Sequence, residues 1–125
     1  MTTYEQLLAD CIRWAKEAGR IQLELFRSDR LDIEAKFNDS DVVTNADKAS
    51  EKAIISEIRR AYPEHSVLSE EAGCDKRMND WLWVIDPLDG TTNYSSGLPN
   101  FCVSIGVQHK GQTVVGVVYA PYLGE

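Results

Sequence analysis

Trp83-Val84-Ile85-Asp86-Pro87-Leu88-Asp89-Gly90-Thr91-Thr92-Asn93 is the stretch on which the reading of this chain turns. The run leading into it, residues 81–85, is apolar throughout, which predicts a strand covered on both faces. Pro87 has no N–H to give to a sheet ladder, so the strand is expected to end there. Asp86 and Asp89 then stand three residues apart at the end of a dry strand, where they would repel each other unless a cation lay between them. Gly90, Thr91 and Thr92 follow as a helix start whose backbone amides would face a phosphate. A metal ion and a phosphate are the predicted occupants, with the Leu88 carbonyl as a further candidate ligand.

Spacing sets aside two rival motifs. A calcium EF-hand loop needs oxygens at alternate positions and glycine at the sixth, which Pro87 and Gly90 do not allow. A D-x-D-G-T phosphatase motif carries its acids two apart, on one side of a strand. Acids three apart disfavour a nucleophilic aspartate and leave activated water as the better nucleophile.

Working outward, Ser66-Val67-Leu68-Ser69 reads as a short strand that delivers Glu70 and Glu71. Adjacent like charges at a strand end imply a cation or a basic group nearby, and Glu70 is a candidate third ligand. Carboxylates and a carbonyl form a hard-oxygen donor set suited to magnesium, with no thiolate or imidazole pair on offer. Thr44-Asn45-Ala46-Asp47 has the form of a capping box opening a helix to about Ala61, where Asp47 serves as the N3 acid. Ala46, Ala53, Ile54, Ile58 and Ala61 are expected to face inward, with Arg59 and Arg60 at the negative end of the helix dipole. Residues 3–27 form a long amphipathic helix with an apolar stripe of Leu7, Cys11, Trp14, Ala18, Ile21 and Leu25. Residues 31–37 alternate as a half-exposed strand, and residues 73–80 read as a polar loop. Residues 101–109 and 112–120 are two strands of a hairpin turning at Lys110-Gly111. The strand closing at Pro121 leaves an uncovered edge, which suggests a chain cut short. Trp81 and Trp83 are expected in the core. His65 and His109 lack partners at metal-ligand spacing and are expected at the surface or in loops.

The chain has 125 residues, which predicts one domain, and an α/β layered fold with two long helices on a mainly antiparallel sheet. Its formal net charge of -7, with no basic run longer than Arg59-Arg60, argues against a nucleic-acid partner. Cys11, Cys74 and Cys102 are odd in number and far apart, which fits reduced thiols in a cytoplasmic protein. There is no signal-peptide pattern and no apolar stretch of membrane-spanning length.

Three stretches together resemble the inositol monophosphatase family of magnesium-dependent, lithium-sensitive phosphatases. They are Asp41-Val-Val-Thr-Asn-Ala-Asp47, preceded by Lys36, then Tyr62-Pro-Glu-His-Ser-Val-Leu-Ser-Glu70-Glu71, and residues 83–94 around Asp-Pro-Leu-Asp-Gly-Thr-Thr-Asn. Residues 97–106 and 116–121 continue the match. The resemblance implies the N-terminal half of an αβαβα sandwich. It implies magnesium held by Glu70, Asp86, Asp89 and the Leu88 carbonyl, with Asp89 also touching substrate. Thr91 and Glu70 would orient and deprotonate the attacking water, Asp47 would hydrogen-bond Thr91, and the Gly90 and Thr91 amides would cradle phosphate. It further implies a small phosphorylated polyol as substrate, inositol monophosphate being the leading candidate, and a homodimer. Ser69 departs from the family's usual glycine. Family members are about twice as long, and the second half, with another metal-binding aspartate, is not in this sequence. The alternatives are a truncated, non-catalytic fragment with residual metal binding and self-association, or a sugar bisphosphatase or bisphosphonucleotide phosphatase of the same superfamily.

Overall fold

The computed structural model describes residues 3–29, 31, 33–35, 42–69 and 73–125, with side chains at 33–35, 42 and 43 left aside. Helix α1 spans Tyr4–Leu25. Thr3 caps it: its hydroxyl accepts from the Gln6 N–H while the Gln6 side chain accepts from the Thr3 N–H, so two orphan donors are satisfied at once. Strands β1 (Ile33–Ala35) and β2 (Val42–Thr44) form a two-stranded antiparallel ribbon leading into α2 (Asn45–Ala61). Then come β3 (Ser66–Ser69), β4 (Gly73–Asp75), β5 (Trp81–Asp89), the short helix α3 (Thr91–Ser95), β6 (Cys102–His109) and β7 (Gln112–Tyr119).

A five-stranded mixed sheet runs in the order β4-β3-β5-β6-β7. Only β3 and β5 are parallel; the other neighbours are antiparallel. The β6–β7 hairpin turns at Lys110 and Gly111, with φ of 52° and 80°, the two positive values that a two-residue I′ turn requires.

Both long helices pack on one face of the sheet. Leu7, Cys11, Trp14 and Ala18 of α1 and Ile54 and Ile58 of α2 share a core with Val67, Trp83, Ile85, Val103, Ile105 and Val107. Period two along the strands puts the alternate side chains on the opposite face, where Leu82 and Val84 are half-buried and Leu68 and Val118 are 39% and 68% exposed. The continuous apolar run of β5 is thus dry on one side only, not on both.

Other expectations need correction as well. The segment read as a polar loop contains β4, which pairs with β3. Ala53 is half-buried and Ala61 exposed, because the inward arc of α2 passes through Ala46, Ser50, Ile54 and Ile58. His65 is buried, not superficial. Its Nδ1 accepts from Trp83 Nε1 at 2.9 Å, and its ring stacks on Tyr62 and Trp81, with centroids 4.9 and 5.5 Å away. His109 also stacks on Trp81, with centroids 4.1 Å apart. Two aromatic neighbours one strand apart were the signal that these imidazoles would find rings.

Candidate metal and phosphate site

Strand β5 does not end at Pro87. It runs on to Asp89 through a bulge: Asp86 pairs with Ser104 and Asp89 with Cys102, and the register shifts between them. The bulge resolves the proline problem, since a residue released from the ladder needs no N–H. It also breaks the period-two alternation, so that Leu88 is buried and Asp89 exposed. Beneath the bulge lies a second apolar cluster of Ala46, Leu88, Tyr94 and Phe101, with Leu25, Phe26 and Leu31 against it. The Phe26, Tyr94 and Phe101 rings meet with centroids 4.8 to 5.4 Å apart.

Gly90 follows with φ of +90° and caps α3. A Cβ there would stand 2.6 Å from the Asn100 carbonyl oxygen, so both backbone conformation and space select glycine. Asn93 Nδ2 donates to the same carbonyl at 3.1 Å, tying α3 to the approach of β6.

Asp47 and Thr91 meet at the start of α3. The Thr91 hydroxyl lies 2.9 Å from Asp47 Oδ1 and 3.1 Å from the Leu88 carbonyl oxygen. The other carboxylate oxygen of Asp47, Oδ2, accepts from the Thr44 N–H at 2.8 Å and from the Thr44 hydroxyl at 2.7 Å. The Asp47 N–H donates back to that hydroxyl at 3.2 Å. The capping and the contact with Thr91 are therefore not alternatives; each uses a different oxygen. Asp47 is only 5% exposed, and charge-assisted hydrogen bonds offset the cost of burying it.

Asp86 and Asp89 both act on one sulfur. Burial raises the Cys102 thiol pKa first, and then the charges of Asp89 and Asp86 raise it further. Cys102 Sγ lies 3.9 Å from Asp89 Oδ2. Nothing in the spacing of the cysteines pointed to this neighbour; the β5–β6 register does, because it sets Cys102 opposite Asp89. Tyr94, under the same site, is raised by burial and then by Asp47.

Glu70 and Glu71 lie outside the described residues. Ser69 is buried, and its hydroxyl donates to Glu51 Oε2 at 2.6 Å, which gives the departure from glycine a definite partner on α2. Strand β3 is parallel to β5 with Ser69 opposite Ile85, so the C-terminal ends of the two strands lie at the same end of the sheet. Among the described residues no three His, Cys, Asp or Glu side chains gather closely enough to hold an ion by themselves. The oxygens at the bulge, two carboxylates and a carbonyl, nonetheless suit a hard divalent cation.

A polar residue inside the stripe of α1 was also missed. Gln22 falls four residues after Ala18, in step with the inward face, and is fully buried. Its Nε2 donates to the Pro87 carbonyl at 2.5 Å and to Ser50 Oγ at 3.1 Å, and its backbone carbonyl accepts from the Tyr94 hydroxyl at 2.7 Å. A glutamine in step with Leu7, Cys11, Trp14 and Ala18 was the available clue.

A helix pair on one face of this sheet order, with a bulged Asp-x-x-Asp-Gly-Thr-Thr step at the strand end, defines a phosphatase-type fold, and the chain belongs to the inositol monophosphatase family, whose model matches residues 3–125. It is 49% identical over 121 residues to the Nus factor SuhB of Pasteurella multocida (strain Pm70), a match covering 95% of this chain and 45% of that protein. The inositol monophosphatase from Anabaena (Nostoc) sp. PCC 7120 superposes with a TM-score of 0.81 at 38% identity, over 99% of this chain and 43% of the other. An IMPase/NADP phosphatase complexed with Mg2+ and phosphate gives a TM-score of 0.81 at 25% identity, over 96% of this chain and 46% of the other. The chain spans about half the length of the relatives it matches.

Proposed function

We propose that this chain carries the metal-binding half of a magnesium-dependent phosphomonoesterase acting on a small phosphorylated polyol, with inositol monophosphate as the leading candidate. The observation that carries the reading is the hydrogen bond from Thr91, just after the bulge that bears Asp86 and Asp89, to the buried Asp47 of the α2 capping box. Asp86, Asp89, the Leu88 carbonyl and Glu70 would hold magnesium, with Asp89 also meeting substrate. When bound, magnesium would neutralise the phosphoryl oxygens, favour ionisation of the attacking water and stabilise the leaving alkoxide.

The protein's own part is placement and proton handling. Asp47 is fixed as a carboxylate by the Thr44 N–H and hydroxyl, so it takes the Thr91 proton as a hydrogen-bond acceptor. The Thr91 oxygen then presents a lone pair to a water molecule and orients it. Glu70 would accept the second water proton as the new O–P bond forms and the bond from phosphorus to the alcohol oxygen breaks. That proton passes to the departing alkoxide, leaving the alcohol and inorganic phosphate. The Gly90 and Thr91 amides would cradle the phosphate.

Magnesium-dependent phosphate release from inositol 1-phosphate, by this chain and by a chain extended to the length of its relatives, tests the proposal. The longer chain is expected to turn over faster. In it, Asp86→Asn or Thr91→Ala should lower kcat by about 10²-fold or more. Near-normal turnover in either variant would overturn the assigned roles.

The setting is expected to be cytoplasmic, consistent with three unpaired cysteines, and the assembly a lithium-sensitive homodimer. A second reading follows from the Pasteurella relative, whose name is that of a Nus factor. A transcription-associated role of that kind would not need turnover. It predicts that Asp86→Asn leaves the role intact while removing phosphate release.

A further inference from the structure

Gln22 is the only glutamine, asparagine or lysine among the residues of α1 that are buried, and it reaches the motif from 65 positions away. The orientation of its amide is not open to choice. The Pro87 carbonyl can only accept, so the nitrogen must face it, and Nε2 supplies one hydrogen to Pro87 and the other to Ser50. The opposite atom, Oε1, is buried without a hydrogen-bond partner among the described residues. A buried orphan acceptor is unfavourable, and an aliphatic side chain would avoid it. The arrangement is kept where Pro87 leaves the β5–β6 ladder, within the register shift between Asp86 and Asp89.

Resting on the phosphatase reading above, we propose that Gln22 is a positioning residue for the proposed cation site. It clamps the Pro87 carbonyl inward and thereby fixes the bulge that turns Asp86, the Leu88 carbonyl and Asp89 toward a shared ligand. Two further contacts make the clamp rigid. The backbone carbonyl of Gln22 holds the Tyr94 hydroxyl, and Tyr94 anchors α3 through its N–H to the Gly90 carbonyl at 2.9 Å. A single turn of α1 thus grips the motif on both sides of Asp89.

The test uses the 125-residue chain with Mg2+ alone as probe, followed through the Gly90 and Thr91 amide resonances, with the Pro87 carbonyl carbon followed in metal-free protein. Gln22→Met keeps the length and apolar bulk of the side chain but removes the donor; Gln22→Leu removes it with an aliphatic side chain. In both, the Mg2+ concentration for half-saturation should rise about tenfold or more, the range found when a group supporting a metal ligand is removed. The Pro87 carbonyl resonance should shift as its hydrogen bond is lost. Ile54→Val, a core change on α2, should lower thermal stability and leave the Mg2+ midpoint where it was, which separates positioning from a merely structural role.

A folded Gln22→Met protein with the wild-type midpoint and unmoved amides overturns the proposal. If the wild type takes up no Mg2+, the reading of this chain as a metal-binding half fails, and phosphate release by the longer chain decides the phosphatase reading separately. The metal-free spectra then decide about Gln22: displaced Pro87, Gly90 and Thr91 signals in Gln22→Met support the clamp, and unchanged ones overturn it. If neither variant folds, the wild type is decisive, because a scalar coupling across the hydrogen bond from Gln22 Nε2 to the Pro87 carbonyl carbon must be present.

Discussion

Asp47 shows how much one buried carboxylate can carry. A helix cap and a hydrogen bond to Thr91 looked like competing uses of one side chain, but a carboxylate has two oxygens and accepts at both. Asparagine has one acceptor oxygen and one donor nitrogen, so Asp47→Asn with its oxygen on Thr44 can no longer accept from the Thr91 hydroxyl, which would be left to donate to the Leu88 carbonyl alone. We expect a loss of about 1.5–3 kcal/mol, the worth of a hydrogen bond to a charged group, measured by urea unfolding of the metal-free chain. An unchanged midpoint would mean that the two hydrogen bonds are not made together in solution.

At the scale of elements, the end of β5 and the start of α3 act as a unit. The bulge between Asp86 and Asp89 lets a strand pass through a proline, and Gly90 then reverses the chain into α3. Gly90→Ala puts a methyl group against the Asn100 carbonyl and forces an L-residue to φ of +90°. It should cost about 1–3 kcal/mol in thermal unfolding, and it should weaken the Asn93–Asn100 bond, visible as faster exchange of the Asn93 side-chain amide. A full-stability Gly90→Ala variant would show that the turn relaxes freely. The capping box of α2 and the Lys110-Gly111 turn, by contrast, are local motifs, and the sequence places both correctly because the residues that make them are within four positions of one another.

For the whole molecule, the stack of Tyr62, His65, Trp81 and His109 links global stability to pH. Burial lowers the His65 pKa below its ordinary value of 6.5, while Glu64 partly offsets the shift. The unfolded chain therefore binds the proton more readily than the native one. The stabilising contribution is present above the ordinary pKa and declines as pH falls from about 6.5 toward the lowered native value. Protonation would also remove the acceptor that Trp83 Nε1 uses. Thermal unfolding should shift to lower temperature between pH 7 and about 5, and His65→Gln should flatten that part of the profile. An equal slope in the variant would assign the pH dependence to other groups.

The sequence by itself determined the two long helices, the β6–β7 hairpin and the family. Helix periodicity, the capping box of α2, the hairpin turn and the Asp-Pro-Leu-Asp-Gly-Thr-Thr-Asn step are all encoded in contiguous residues, where local geometry and sterics suffice. Only the tertiary structure decided that the sheet is dry on one face, that β5 continues past Pro87, that His65 is buried between rings, and that Gln22 and Cys102 stand at the motif. Those features join residues far apart in the chain, Gln22 and Pro87 by 65 positions, and their pairing follows from strand register and helix docking, which no local pattern of side chains specifies.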